Sequence, residues 1–143
     1  GGVYLGGTGS ANKLDDYEEG TWTGVLKEGS NTIVNTNGQY TKVGNMVTIR
    51  WALNFTVPNA NNGILKMEGL PFSVNADCVI NIHARQLGTG VIDLCGLAVG
   101  SKIEFRQRDS MGYTANVNQD DLLATNGSSS DYLYITGTYF TND

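Results

Sequence analysis

His83 is the only imidazole in the 143-residue chain, so any Ser-His-Asp or Cys-His reaction would have to run through it. It stands in the run Val79 to Arg85, where alternation puts Asn81, His83 and Arg85 on one polar face. A solvated histidine is the expectation there. Cys78 and Cys95 are the two cysteines. Cys78 shares a face with Ile80 and Ile82, and Cys95 sits in the apolar run VIDLCGLAV, so both are expected as buried free thiols. With a single histidine they cannot complete a four-ligand zinc site. Carboxylates cluster in DDYEEG, Asp15 to Gly20, and pair again at Asp120-Asp121. Glycoside cleavage would need two of them across a groove, about 5 to 10 Å apart, and adjacency in sequence does not supply that placement. The spacing in DDYEEG is not that of an EF-hand loop. GGTGSANK, Gly6 to Lys13, lacks the GxxxxGK(S/T) spacing of a phosphate loop, with no strand before it and no helix after it. The chain is therefore expected to be no enzyme and to use no metal or cofactor.

Binding chemistry is better represented. A flat aromatic ring beside hydrogen-bonding groups suits a sugar, because the ring offers contact area at little entropic cost. RQRDSMGYTANVNQ, Arg106 to Gln119, has that composition, and Arg106, Arg108, Asp109, Tyr113, Asn116 and Asn118 are its candidate ligand-binding residues. The same composition also fits an ordinary polar loop.

These residues need a scaffold. The strongest strand signal is Met46 to Val57: Val47, Ile49, Trp51, Leu53, Phe55 and Val57 fall on one face, and Met46, Thr48, Arg50, Ala52, Asn54 and Thr56 on the other. Such a strip needs a second layer to cover it. Thr21 to Lys27 reads as a strand, Asn37-Gly38 as a type I′ turn, GQYTKV as a short strand, and Gly44-Asn45 as the turn into the central strand. Asp15 to Gly20 suits one helical turn. Further strands are expected at Ile64 to Met67, at a hairpin of Cys78 to Gln86 with Val91 to Val99, and at Ser101 to Arg108. In the last strand, Tyr132 to Phe140, both faces carry aromatic side chains, which calls for an interior position or a neighbouring subunit.

The totals agree with an all-β chain. Nineteen glycines against two prolines suit many turns between short strands. The predicted fold is an antiparallel β-sandwich of jelly-roll type with about eight or nine strands. Residues 15–143 would form one head domain, and residues 1–14 a linker or stalk junction whose glycine-rich start looks more like a fragment boundary than a secretory signal. A net charge of −5 argues against nucleic acid, and no apolar run is long enough to insert in a membrane as a helix.

ANKLDDYEEGTWTGVL, GQYTKVGNMV, GLPF and YLYITGTYFT occur in this order along nearly the whole chain. In this the sequence resembles the C-terminal domains of bacteriophage tail-fibre and related virion proteins. It departs from their pattern at Gly24, where proline is common. The resemblance implies a β-sandwich at a fibre tip, assembled as a homotrimer on an upstream stalk, made in the bacterial cytoplasm and located in the virion. Leu14 to Thr23 and Tyr40 to Asn45 match the family's recurrent segments. That places Leu14, Tyr17, Trp22, Tyr40, Lys42 and Asn45 at a stalk junction and subunit contact, to which the terminal aromatic strand adds Tyr132 and Tyr134. The expected role is recognition of a bacterial-surface glycan or protein. The alternative is a fibre-capping or capsid-decorating module without a ligand.

Overall fold

In the computed structural model every regular element among the described residues is a strand: β1 (Val3–Tyr4), β2 (Lys13–Leu14), β3 (Tyr17–Glu28), β4 (Asn31–Val43), β5 (Met46–Thr56), β6 (Leu65–Glu68), β7 (Cys78–Ala84), β8 (Asp93–Val99), β9 (Lys102–Arg108), β10 (Thr114–Asn116) and β11 (Ser130–Phe140). The structure describes residues 2–4, 6–9, 13–14, 16–56, 63–85, 93–108, 114–117 and 130–143, with backbone alone at 13, 14, 56, 114, 130 and 131.

Eight strands close into an antiparallel barrel in the order β9-β6-β3-β4-β5-β11-β7-β8, and β8 pairs back onto β9 through seven residue pairs, from Asp93↔Arg108 to Val99↔Lys102. The extra strand, β10, continues the line of β6. Along one edge of β9, β6 covers Lys102 to Glu104 and β10 covers Arg106 to Arg108. Their junction is held by Leu65 N–H donating to Val117 O at 2.7 Å and Val117 N–H donating to Phe105 O at 3.1 Å. The connectivity is that of two Greek keys: β3-β4-β5 is a meander whose fourth strand β6 returns beside β3, and β7-β8-β9 is a meander whose fourth strand β11 returns beside β7.

The sandwich expected from the sequence is thus corrected to a closed barrel. Alternation shows only that each strand buries one face, and two facing sheets or one sheet rolled onto itself meet that demand equally. The pairings of β8 with β9 and of β9 with β6 decide it, by leaving the ring no open edge.

The interior is filled by side chains. Val47, Ile49, Trp51, Leu53 and Phe55 of β5 are buried, as are Leu133, Ile135 and Tyr139 of β11, in one core with Leu26, Met67, Ile80, Ile103 and Phe105. Both alternations expected for these two strands hold over their described residues. The outward side chains are polar or charged on most strands, the reverse of a transmembrane barrel. Among the described residues, no helix is long and apolar enough to cross a membrane.

Two local expectations are overturned. Asp16 to Gly20 forms no helical turn: Tyr17 to Gly20 pair with Val43 to Tyr40 as the start of β3. Asn37-Gly38 is not a turn but lies inside β4, where Trp22↔Gly38 is a register pair. A Cβ on Gly38 would stand 2.7 Å from the Trp22 ring, so the glycine is there to admit the indole. The hairpin turns instead at Gly29-Ser30, with Gly29 at φ +58°.

One end of the barrel is capped by the segment between β6 and β7. Gly69 and Leu70 N–H groups donate to Ser101 O at 3.1 Å each, and Asn75 N–H donates to Phe140 O at 2.7 Å. Phe72 packs edge-on against Tyr40 at 5.4 Å, under the Lys42 ammonium at 5.5 Å, and Tyr139 Oη donates to Phe72 O at 3.0 Å.

Candidate functional site

The junction residues inferred from the family resemblance divide between interior and exterior. Trp22 and Lys42 are turned into the barrel and buried. Lys42 is paired with Asp16 at 2.5 Å, which ties the chain entering β3 to β4. Tyr40 donates to Glu18 and Tyr17 donates to Glu19, and both phenols are pushed up in pKa by these carboxylate bonds. Asn45 stands at the β4–β5 turn, where its carbonyl accepts from Thr141 N–H at 2.9 Å. The Leu14 side chain lies outside the described residues. Tyr17, Val43, Met46 and Phe140 are consecutive register partners across β3, β4, β5 and β11, and form an outward, largely apolar row at the capped end.

The candidate ligand loop is brought together in part. Arg106 donates to the Asn116 side-chain oxygen and pairs with Glu104 at 2.6 Å, so its guanidinium is engaged within the β9–β10 edge. Arg108 is exposed, in register with Asp93 and Thr114. Asp109, Tyr113 and Asn118 lie outside the described residues. The surrounding surface is a charge ladder. Glu68 bridges Lys27 and Lys66 at 2.7 Å each, and Glu104 bridges Lys102 and Arg106 at 2.6 Å each. The lysine hydrogen bonds hold both carboxyls below their ordinary pKa.

A different surface gathers aromatic and hydrogen-bonding groups. β11 lies between β5 and β7, so three transverse rows cross these strands on the outside: Arg50, Thr136 and Asn81; Ala52, Tyr134 and His83; Asn54, Tyr132 and Arg85. Tyr134 is 48% exposed and its ring lies 6.2 Å from that of His83. Arg85 sits over the Tyr132 ring at 5.6 Å. Beside Arg50, shallow depressions of about 310 and 210 Å³ open on the outer face of β4 and β5, with Asn37, Gln39, Thr41 and Thr48 among their lining residues. Sequence alternation showed each strand's outward set separately. The neighbour relation of β11 with β7, which joins them, spans about fifty residues of chain and leaves no local signal.

Both thiols are free, as expected, but half-buried rather than buried; their partial burial, aided by Asp77 at Cys78 and Asp93 at Cys95, pushes their pKa up, away from the thiolate a nucleophile needs. Among the described residues, no three His, Cys, Asp or Glu side chains are placed to hold a metal ion. Compared with protein-family models and with curated protein sequences, the chain matches none of them.

Proposed function

We propose that this domain is a non-enzymatic recognition head at the tip of a virion fibre, which binds a bacterial-surface glycan on the outer face of β5, β11 and β7. The observation that carries this reading is the exposed Tyr134–His83 platform, flanked by Asn54, Asn81, Thr136 and the depressions next to Arg50. A sugar ring stacks on such a platform while its hydroxyls meet amide, hydroxyl and guanidinium groups at the margin. Virion location and a stalk upstream rest on the motif series LDDYEEGTWT, YTKVGN and GLPF. The test is retention of the 143-residue chain on a panel of immobilised bacterial polysaccharides. Tyr134→Ala should weaken the retained interaction at least tenfold with unchanged circular dichroism, and no reducing ends should be released. Retention on no polysaccharide, or retention indifferent to Tyr134→Ala, would overturn the reading.

A second reading, a capping module without a ligand, is favoured by the apolar row Tyr17, Val43, Met46 and Phe140. That row also suits packing between copies, and we propose a homotrimer. Light scattering should then give three times the mass of one chain, and Phe140→Ser with Met46→Ser should shift the mass toward that of a single chain.

A further inference from the structure

The glycan face differs in charge from the rest of the molecule. The chain carries a net charge of −5, yet the described outward side chains of β4, β5, β11 and β7, with Arg85 just beyond β7, include two arginines, Arg50 and Arg85, and no acid. The other described basic groups are nearly all taken: Lys27, Lys66, Lys102 and Arg106 by Glu68 and Glu104, and Lys42 by Asp16. Arg108 stands in register with Asp93 on the far side. Among the described residues, Arg50 and Arg85 have no carboxylate within ion-pair distance. The described acids nearest to this face lie at its margins: Glu19 on β3, which accepts from Tyr17 at 2.8 Å, Asp77 just before β7 at the end away from Arg85, and Asp93 on β8.

From this we infer that the ligand is an acidic polysaccharide whose carboxylates are held by Arg50 and Arg85, with the sugar rings between them lying on Tyr134 and His83. The inference rests on the glycan-recognition reading above and narrows its ligand. Arg50 and Arg85 occupy strands on either side of β11 and rows on either side of Tyr134. At sheet spacings this sets them roughly 15 Å apart along a diagonal, the reach of an extended oligosaccharide rather than of one sugar. A planar guanidinium binds a carboxylate through two parallel N–H bonds, and Arg85 is already oriented by its stacking on Tyr132.

The experiment compares bacterial capsular polysaccharides rich in uronic acids, each in native form and after chemical reduction of its carboxyls to alcohols, against the whole chain by calorimetry. Native forms should bind at least tenfold more tightly than their reduced counterparts. Arg50→Gln and Arg85→Gln should each remove fivefold or more of that preference, and Arg50→Lys should restore part of it. Circular dichroism of these exposed-site variants should match the parent chain. Equal binding of native and reduced forms, or unaltered preference in both glutamine variants, would overturn the acidic ligand while leaving glycan recognition standing. Equal affinity for double-stranded DNA would overturn it too, because it would mean that any polyanion suffices. Failure to bind any polysaccharide in either form would remove the underlying reading itself.

Discussion

Trp22 and Trp51 meet in the core with ring centroids 5.9 Å apart, but their indole N–H groups differ. Trp51 Nε1 donates to Thr36 O at 3.1 Å, whereas Trp22 Nε1 is buried without a partner among the described residues. Replacing Trp22 by Phe removes an unsatisfied donor along with some contact area. Replacing Trp51 by Phe removes a satisfied donor and orphans an acceptor. Chemical denaturation should therefore show Trp51→Phe costing about 1 kcal/mol more than Trp22→Phe. Gly38→Ala should cost about 1 to 3 kcal/mol, since its Cβ would press into the Trp22 ring. This also explains why Asn37-Gly38 was misleading as a turn: the dipeptide satisfies the turn rule, and only the indole across the pair shows the glycine is needed for space. The interior side of β5 was legible because alternation is a local property. Lys42, by contrast, is placed at a junction and subunit contact by the resemblance, and its burial inside the barrel end follows from Asp16 and Phe72, neither of which is near it in the chain.

At the scale of elements, the charged ladder across β3, β6 and β9 makes stability depend on pH in a definite direction. Glu68 and Glu104 are held below their ordinary pKa of 4.5 by hydrogen bonds from lysine. The unfolded chain therefore takes up these protons at higher pH than the folded one. Their stabilising contribution is complete above about pH 4.5 and is lost as pH falls through the depressed folded values. Melting temperature should drop between pH 5 and pH 3, and a Glu68→Gln, Glu104→Gln double variant should show a shallower drop. At the other extreme, burial pushes the Tyr139 phenol up to about 12 from 10, so its neutral form supports the barrel below pH 10, and that support fades as pH rises toward 12. Strand positions, including β5, β9 and β11, could be read from periodicity. Their partners could not, because β11 pairs with β5 across about 75 to 95 residues of chain and with β7 across about fifty.

For the whole molecule, closure sets what each face can do. Around the ring, β11 and β6 lie opposite each other, separated by β5-β4-β3 on one side and β7-β8-β9 on the other. The aromatic face and the ion-paired face are therefore on opposite sides of one barrel, each with its own chemistry. A sandwich would have the same buried strips but would not define this opposition. Of the Arg106 to Gln119 segment, favoured on composition, the described residues 106–108 and 114–117 lie on the ion-paired side, where Arg106 meets Glu104 and Asn116. The deciding measurement is a ¹⁵N chemical-shift map of the domain titrated with an oligosaccharide fragment of a polysaccharide that retains it. Shifts concentrated at Arg50, Ala52, Asn81, His83, Tyr132 and Tyr134 are the predicted result. Shifts clustered on β9 and β10, with β5, β11 and β7 unmoved, would contradict it.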